Sequence, residues 1–340
     1  MKHQQNIKQQ HHQYKNQPQQ LMTLEGSPRI KGFDFEKAQQ QGFNLQEFLQ
    51  AYATTGFQAS NLAEGIGITK IMQREKATIF LSFTSNLVSS GVREAITYLA
   101  KHQKIQAMVT SAGGIEEDII KCLKPFVLGQ FNLPGNFLFE NGINRIGNIL
   151  VPNDRYAYFD KFMQEFFTEI YQEQQAENKI FAPHELIKKL GEKINHQDSY
   201  LYWAAKNNIP IFCPGLIDGS LGDLIYFFKQ AHPDFMIDIT KEMKVMVDLV
   251  LNTEKTAAIC LGSGISKHFT LNANIFKEGL DYAVYINTGE EFDGSDSGAK
   301  VEEAISWGKI KAKAPAVKIH CDATIAFPLL VMGAFVELLA

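Results

Sequence analysis

The feature that most constrains the fold is a repeated succession of short apolar runs, each ending in small or polar residues. The runs are rich in β-branched and aromatic residues, and most precede a helical stretch. They are residues 77–83, 106–110, 209–213, 257–261, 282–287 and 317–320. Strands that alternate with helices indicate a parallel sheet covered on both faces. The sequence therefore predicts an α/β fold, with a Rossmann-like parallel sheet flanked by helices in a single domain.

The first 25 residues differ in composition from the rest of the chain. They are rich in Gln, Lys and His and nearly devoid of core-forming residues. Such a segment cannot bury enough apolar surface to offset the entropy lost on ordering. We predict a disordered polar tail over residues 1–25 and one catalytic domain over residues 26–340. Loops are expected near 130–155 and 176–184, and a long aromatic amphipathic helix over 156–175.

Length and composition exclude several classes of protein. The 340 residues are 45% hydrophobic and 21% charged, which is ordinary for a soluble globular protein. A net charge of -4 provides no basic field, so nucleic acid is not an expected ligand. No apolar run reaches the ~18 residues of a membrane span, and the N-terminus lacks the apolar core of a signal peptide. The four cysteines form no CxxC pair. We predict no metal site, no membrane association and a cytoplasmic location.

The stretch GEEFDGSDSGAKVEEAISWGK, residues 289–309, follows one of the predicted strands. Ligands of open parallel sheets bind beyond such strand ends. Residues 300–307 predict a short helix, with Gly308 suited to its C-terminal end. The acidic loop attracts a cation, and Lys309, beside the indole of Trp307, becomes a nucleophile when apolar neighbours desolvate it. The alternative is a solvated turn followed by a surface lysine.

Other predicted strands also end in residues that suit ligand binding. Residues 111–114 and 262–264 resemble turns in which backbone N–H groups approach a phosphate, although neither completes a GxGxxG pattern. Asp322 either binds ribose hydroxyls or caps a helix. Asp218 and Asp223, at the two ends of the motif 218–223, can likewise cap a helix. His268 either transfers protons or is structural. In combination these features predict an enzyme that pairs a dinucleotide with a polycationic substrate.

Six motifs, in order along the chain from about residue 30, resemble those of deoxyhypusine synthases. They are TSNLVSSGVRE at 84–94, TSAGGIEED at 110–118, ENGINRIGN at 140–148, DGSLGD at 218–223, EFDGSDSG at 291–298 and SWGK at 306–309. The resemblance implies an NAD-dependent transferase that moves the aminobutyl group of spermidine, through a lysine imine, to one lysine of translation factor 5A. The product is deoxyhypusine. It also implies a homotetramer whose active sites form between paired subunits.

The same resemblance implies roles for individual residues. Lys309 is the imine-forming nucleophile, and His268 is the second catalytic residue. The spermidine site comprises Glu116, Glu117, Asp223, His268, Gly294, Ser295, Asp296, Glu303 and Trp307. The NAD site comprises Ser85, Asn86, Leu87, Val88, Ser89, Ser111, Ala112, Gly113, Glu117, Asp218, Ser263, Thr288, Gly289, Asp293, Asp322 and Ala323. Carboxylates suit a polyamine because each desolvated ammonium needs a charge partner, and an indole face holds an ammonium or a methylene chain.

Two positions depart from the family's usual pattern, and two other functions stay open. Ser263 stands where glycine is usual, and Gly289 stands where alanine is common. A homospermidine synthase shares the scaffold, NAD and the lysine, but transfers the aminobutyl group to a free amine such as putrescine. A non-catalytic polyamine- or nucleotide-binding relative is the third hypothesis. Retention of Lys309, His268 and the acidic loop argues against it, because a binding protein needs no nucleophile.

Overall fold

The computed structural model describes residues 26–336. The predicted disordered tail, residues 1–25, lies outside the described residues. Within them the strands, in chain order, are β1 (Thr78–Phe83), β2 (Ala107–Val109), β3 (Val127–Leu128), β4 (Ile143–Ile146), β5 (Ile149–Pro152), β6 (Ile211–Phe212), β7 (Thr256–Leu261), β8 (Tyr282–Asn287) and β9 (Ala316–His320).

The helices range from one turn to more than six turns. In chain order they are α1 (Phe35–Gln41), α2 (Leu45–Thr55), α3 (Phe57–Arg74), α4 (Asn86–Ser89), α5 (Val92–Lys101), α6 (Ala112–Leu123), α7 (Gly135–Glu140), α8 (Asp154–Glu177), α9 (Pro183–Ile194), α10 (Tyr200–Lys206), α11 (Ser220–Ala231), α12 (Thr240–Leu251), α13 (Gly264–Asn274), α14 (Val301–Ser306) and α15 (Ala323–Ala334). A 3-10 turn, Ile275–Lys277, follows α13. None of these helices has both the length and the apolar character that crossing a membrane demands.

Polar residues set the starts of several helices. The side chains of Asp34, Asn44, Ser199 and Asp322 each accept a hydrogen bond from a backbone N–H in the first turn of α1, α2, α10 and α15, respectively. These first-turn N–H groups have no partner inside the helix, so a capping oxygen stabilises the helix start. Short polar residues therefore define where these helices begin.

Six of the strands form one parallel sheet with the order β6-β2-β1-β7-β8-β9. Numbered along the chain, these strands stand in the order 3-2-1-4-5-6, which is the order of dinucleotide-binding α/β folds. The direction of winding reverses between β1 and β7. The prediction of a Rossmann-like parallel sheet is confirmed, and all six predicted strands are present.

Both faces of the sheet are buried, because alternate residues of each strand belong to different apolar clusters. Leu81 of β1 lies in the cluster that contains Ile96 of α5, whereas Phe80 lies in the cluster that contains Met246 of α12. The side chains of successive strand residues point to opposite faces, so one strand contributes to both clusters. Continuous apolar runs such as TIFLSF are the expected sequence of strands covered on both sides.

A second, three-stranded antiparallel sheet with the order β3-β5-β4 lies in the region predicted as a long loop near 130–155. That prediction is wrong. β4 and β5 are four residues each and are joined directly through Gly147 and Asn148. The polar residues Asn144 and Arg145 interrupt the apolar pattern of β4, which is why no strand was expected there.

Candidate functional site

The residues predicted to contact a dinucleotide follow the carboxyl ends of all six parallel strands. Residues 85–89 come after β1, residues 111–113 after β2 and Asp218 after β6. Beyond the other three strands lie Ser263, Thr288, Gly289, Asp322 and Ala323, and Asp293 follows farther along the loop after β8. Parallel strands present these ends at one edge of the sheet, so the predicted residues lie along a single edge.

A cavity of about 140 Å³ lies at that edge, next to the point where the winding reverses. Thr84 after β1 and Gly262 after β7 form two of its walls. Five predicted cofactor residues line it: Asn86, Leu87, Thr288, Asp322 and Ala323. Ligand pockets typically have volumes of about 300–1,000 Å³. This cavity is therefore smaller than a typical ligand pocket and would enclose only part of a ligand of that size.

The polar groups of the cavity fit a nucleotide. Asn287, at the end of β8, is 7% exposed, and its Oδ1 accepts from the Gly289 N–H at 3.0 Å. A backbone N–H only donates, so the other end of this side chain is the NH2 group. Among the described residues that Nδ2 has no acceptor. A buried donor without a partner is expected where a ligand supplies the acceptor.

Asp322 has the capping role that was one of the two considered for it. Its Oδ1 accepts hydrogen bonds from the backbone N–H and the hydroxyl of Thr324, each at 2.7 Å, and so caps α15. The carboxylate is exposed and lines the cavity. Its second oxygen can accept from a hydroxyl of a ligand. Together with the amide of Asn287, this provides one donor and one acceptor in the same cavity.

The two carboxylates of α6 are held in different ways. Glu116 is 5% exposed, and its Oε1 accepts from the Leu221 N–H at 2.8 Å. Burial raises the pKa of Glu116, although the N–H groups at the start of α11 oppose this effect. The half-buried Glu117 accepts a hydrogen bond from the Ser89 hydroxyl. Burial raises the pKa of Glu117 to about 7.

Asp218 and Asp223 lie beside these carboxylates, because the start of α11 packs on α6. Both aspartates are exposed, and their charges contribute to the raised pKa of Glu116. Neither side chain caps the first turn of α11. The structure therefore groups four acidic side chains, from α6 and from the loop and helix after β6. The two glutamates receive hydrogen bonds, and the two aspartates face solvent.

The loop 288–300 is held from beneath by two lysines. The Lys318 ammonium on β9 donates to the carbonyl oxygens of Gly289 and Gly298, each at 2.7 Å. Lys267 on α13 is 1% exposed, and its ammonium donates to the Asp296 carbonyl oxygen at 2.6 Å. Buried ammonium groups require such partners. The backbone of this acidic loop is thus anchored, while most of its side chains face outward.

Gly289 departs from the alanine common in the family, and the structure supplies a reason. A Cβ added at this position would lie 2.5 Å from the Ser297 carbonyl oxygen. The two ends of the loop approach each other at this point, so only a residue without a side chain fits without movement. The glycine is therefore matched to the closed shape of this loop.

The carboxylates of the loop are not equivalent. Glu290 lies 3.4 Å from the His320 ring nitrogen, and Glu291 forms an ion pair with Lys300 at 2.6 Å. Hydrogen bonds from Ser295 hold the pKa of Asp293 below its usual range. Asp293, Gly294 and Ser295 are exposed, and Asp296 is half-buried. In the described part of the chain, Oδ2 of the Asp296 carboxylate has no hydrogen-bond donor, but it lies 3.7 Å from the Lys267 ammonium.

Lys309 follows α14 where the backbone is fixed on both sides. Its N–H donates to the Ala304 carbonyl at 2.9 Å, and its own carbonyl accepts from the Leu280 N–H at 3.0 Å. Gly308 has φ +70°, the left-handed conformation that ends a helix and favours glycine. The half-buried Lys309 ammonium lies 6.0 Å from the centre of the exposed Trp307 ring. No carboxylate between residues 26 and 336 lies within 4.0 Å of it.

The remaining predicted residues occupy less distinctive positions. Glu303 is exposed in the first turn of α14, and His268 is exposed on α13. The Ser263 hydroxyl bonds that of Ser297 at 2.6 Å, which ties the start of α13 to the acidic loop. Five of the predicted cofactor residues are buried in the protein: Leu87, Val88, Ser89, Ala112 and Ala323.

The structure brings the predicted residues together in two groups, not one. The first comprises Glu116, Glu117, Asp218 and Asp223, and the second comprises the acidic loop with His268, Glu303, Trp307 and Lys309. α6 packs on one face of the sheet and α14 on the other. β2 and β8 are three strand intervals apart, or roughly 14 Å. Within residues 26–336, no hydrogen bond or ion pair joins the groups.

Larger cavities lie elsewhere on the molecule. One of about 430 Å³ lies between α9 and α10, and one of about 530 Å³ lies between β9 and the outer side of the acidic loop. Neither is lined by a residue predicted to contact cofactor or substrate. Two of the lysines that line the first are already paired, Lys179 with Glu185 and Lys189 with Glu173. Volume alone therefore does not locate the site.

Sequence reasoning missed three residues that shape the site: Asn287, Lys267 and Lys318. Asn287 and Lys318 lie in strands that are largely apolar, whereas Lys267 lies in the mixed sequence of α13. A lysine inside the strand AVKIH is a signal that could have been used, because a charged residue in a covered strand requires a buried partner. Which backbone groups it contacts depends on tertiary packing.

Comparison with known proteins gives consistent results. A family model described as deoxyhypusine synthase matches residues 47–334. Deoxyhypusine synthase of Arabidopsis thaliana is 47% identical, with 92% of each chain covered. Homospermidine synthase 2 of Senecio vernalis is 46% identical, covering 92% of this chain and 91% of its own. A crystal structure assigned as a deoxyhypusine synthase of Entamoeba histolytica is 31% identical with a TM-score of 0.63, covering 90% of this chain and 96% of that one.

Proposed function

The chain belongs to the deoxyhypusine synthase family, and from that premise we propose that it transfers the aminobutyl group of spermidine to a lysine of translation factor 5A. NAD is the proposed cofactor and deoxyhypusine the proposed product. The observation that carries this proposal is Lys309. It is a half-buried lysine on a fixed backbone beside an indole, and none of the described carboxylates pairs with it.

The cofactor, Lys309 and His268 each have a role in the proposed reaction that follows from their chemistry. NAD, held by residues that follow the parallel strands such as 85–89 and Asp322, would accept a hydride from the carbon next to the secondary amine of spermidine and would return it to the final imine on the acceptor lysine. The Lys309 amine attacks the resulting C=N carbon, the aminopropyl half leaves as a diamine, and the butyl carbon is held as an imine on Nζ. The amine of the acceptor lysine then displaces Lys309 from that carbon. His268, exposed on α13, is suited to carrying protons between the amines.

The carboxylates provide the polyamine site. Spermidine carries several ammonium groups, and each one needs a negative partner where water is excluded. Asp296, Glu303 and the α6 pair supply such partners, and the Trp307 ring can cover an ammonium or the methylene chain. The raised pKa of Glu117 suits a group that changes charge near neutral pH when an ammonium binds.

We further propose that a second copy of the chain completes each site, within a homotetramer. The two residue groups lie on opposite faces of the sheet in one chain. Large apolar side chains are exposed around them: Ile217 is 72%, Tyr226 60%, Phe227 61% and Ile265 49% exposed. Apolar residues around polar functional groups are typical of a subunit interface. A paired subunit would bring its α6 group to the partner's Lys309.

A complementation experiment tests the shared site. In the proposed pair, each site takes Lys309 from one chain and Glu117 from the other. Lys309→Arg alone or Glu117→Gln alone should therefore impair both sites of a pair. When the two variants are co-expressed, mixed pairs contain one site that carries neither change. Random pairing would therefore restore roughly a quarter of the wild-type activity. No recovery in isolated mixed pairs would show that each site is built from a single chain.

A homospermidine synthase is the second candidate, and the identity values support it almost equally. The Senecio vernalis relatives of both names are 47% and 46% identical to this chain. The two functions share the oxidation step and the lysine imine, so only the acceptor separates them. The acceptor is selected at the entrance of the site. Similarity of the catalytic residues inside the site therefore does not identify it.

The decisive experiment follows the label from spermidine marked in its aminobutyl half. Purified protein and NAD are incubated with factor 5A in one tube and with putrescine in another. Label on one lysine of factor 5A, located by mass spectrometry, is the expected result. Label only in homospermidine would replace the proposed function by the second candidate. No label in either tube, with NAD and spermidine still bound, would indicate a binding protein.

Lys309→Arg tests the nucleophile within the same assay. Arginine keeps the positive charge but stays protonated, so it forms no imine and transfer should fall by about a thousand-fold or more. Lys311→Arg is the matched control, because that neighbouring ammonium is paired with Asp281 at 2.5 Å. The control should retain transfer. Normal transfer by Lys309→Arg would exclude this lysine as the nucleophile.

A further inference from the structure

α6 carries a lysine whose ammonium is bound to a neighbouring turn. The half-buried Lys121 donates from Nζ to the carbonyl oxygens of Val88 at 2.8 Å, Ser90 at 2.9 Å and Ser89 at 3.3 Å. A lysine ammonium has three hydrogens to donate. All three are therefore used on one short segment of backbone, and none is left for a ligand.

These carbonyls lie at the C-terminal end of α4, which is only four residues long. The last carbonyls of a helix have no partner inside the helix, and a single turn is not stable alone. The Lys121 ammonium supplies the missing donors. The shape of residues 85–90 therefore depends on a side chain from another helix.

The same segment is bound to α6 a second time. The Ser89 hydroxyl donates to the carboxylate of Glu117, which precedes Lys121 by four residues. Residues four apart lie on the same side of a helix. One face of α6 thus holds the turn through both its backbone and its side chain. Residues 85–89 of that turn are the proposed cofactor contacts, and Glu117 is a proposed substrate contact.

We infer that Lys121 is a positioning residue: it holds residues 85–90 in the conformation that binds NAD, without touching the ligand itself. This inference rests on the proposed function, because it concerns the same cofactor site. Its basis is the set of three hydrogen bonds and the position of Lys121 one helical turn from Glu117.

The charge of Lys121 has a second consequence, which supplies an independent readout. Burial raises the pKa of Glu117 to about 7, and the nearby Lys121 ammonium opposes part of that increase. Loss of the ammonium should therefore raise the pKa of Glu117 further. The other titratable or charged groups around this pair are Glu116 and Asp118 on α6, Arg93 and Glu94 on α5, and Tyr156 on α8.

The test compares Lys121→Met and Lys121→Arg in the full-length protein. NAD affinity is measured by calorimetric titration, and spermidine affinity in the NAD complex is measured between pH 5.5 and 8.5. Lys121→Met should weaken NAD binding about ten-fold, because the carbonyls of the turn lose their donors. The pH midpoint of spermidine binding should move upward. Lys121→Arg, which retains donors and charge, should recover most of both properties.

Lys124→Met is the matched control. Lys124 follows α6 directly, and its ammonium pairs with Asp154 at 2.9 Å, not with the turn. The Lys124→Met variant removes the same charge as Lys121→Met. It should leave the NAD affinity and the pH midpoint of spermidine binding unchanged. Thermal unfolding of each variant separates stability from affinity.

Three results would overturn the inference. If Lys121→Met loses stability but keeps wild-type NAD affinity and midpoint, Lys121 is only structural. If Lys124→Met behaves like Lys121→Met, the effect is one of general charge. If the wild-type protein binds no NAD, the proposed function fails and this inference fails with it.

Discussion

Two acidic regions of the molecule, the loop 288–300 and the first half of α6, hold their carboxylates by opposite means. In the loop, Lys318 binds the backbone and the carboxylate of Asp293 is exposed. In α6, the side chains are themselves enclosed: Glu116 accepts from a backbone N–H, and Glu117 accepts from the Ser89 hydroxyl. The loop is anchored through its main chain, and α6 positions its side chains directly.

The difference teaches how the proposed shared site would contain two kinds of negative charge. Hydrogen bonds from Ser295 keep the pKa of Asp293 below its usual range, so this carboxylate stays ionised at neutral pH. Burial raises the pKa of Glu117 to about 7, so its charge depends on pH in the physiological range. The loop therefore supplies constant attraction for a cation, whereas α6 supplies an attraction that protonation can remove.

The largest effect is expected when the Lys318 ammonium, which holds the backbone of the loop, is removed. Lys318→Met removes the donor of two hydrogen bonds, to the carbonyls of Gly289 and Gly298. Leaving these groups without a partner should lower the free energy of unfolding by about 2–4 kcal/mol. Denaturant titration measures this loss, and limited proteolysis should show new cleavage within residues 288–300.

Lys300→Met controls for the loss of a lysine in the same loop. Its ammonium pairs with Glu291 at 2.6 Å on the surface, where an ion pair contributes about 0–1 kcal/mol. Its unfolding free energy should change by no more than that. Equal losses in the two variants would contradict the idea that the loop is held through its backbone.

The next effect separates the two regions by pH. Spermidine should bind the NAD complex about ten-fold more weakly at pH 6 than at pH 8, because Glu117 must first lose its proton. Glu117→Gln should bind weakly at both pH values and lose this dependence. Asp296→Asn, in the loop, should bind more weakly but keep the dependence. Titration of the three proteins over this range measures both quantities.

The sign of the stability change follows from the same pKa. The pKa of Glu117 is raised in the folded protein from an ordinary value near 4.5 to about 7. The unfolding free energy of the ligand-free protein should therefore fall as pH rises between these values and level off above them. Glu117→Gln should remove this part of the slope. An unchanged slope in that variant would assign the titration to another group.

The sequence was sufficient to predict the sheet and the family. β8 spans the predicted residues 282–287, because a strand buried on both faces is a continuous apolar run. The family resemblance seen in six motifs is confirmed by the model that matches residues 47–334. The short hairpin of β4 and β5 was not predicted, because four-residue strands with polar interruptions carry little periodic signal.

The site was only partly predictable for a related reason. The helix before Lys309 and the glycine that ends it follow from local sequence. The anchors do not: Lys318 reaches the backbone 29 residues away, and Lys121 reaches Val88 at 33 residues. Such contacts, and the burial that raises the pKa of Glu117, are decided by tertiary packing. The roles assigned to individual residues remain predictions that the variants above test.

A smaller effect is expected at the cavity that Asn287 lines. Asn287→Asp keeps the oxygen that accepts from Gly289 but replaces the unpaired NH2 group by a second oxygen. NAD affinity should fall about five-fold or more, since a donor to the ligand is lost. Asn274→Asp is the control, because Asn274 is fully buried on α13 outside the cavity. It should lose stability without a change in NAD affinity, and wild-type affinity in Asn287→Asp would exclude the amide as a ligand contact.

The smallest effect is expected from Ser263→Gly, which restores the residue usual in the family. The Ser263 hydroxyl bonds that of Ser297 at 2.6 Å, and a bond between neutral groups contributes about 0.5–1.5 kcal/mol. NAD affinity should change by less than about three-fold, because the main anchors of the loop, Lys318 and Lys267, remain. Combination with Ser297→Ala should cost no more than either single change, since both remove the same bond. If the stability losses of the two single variants add in the double variant, the two hydroxyls act separately. The loop would then depend on its main-chain anchors alone.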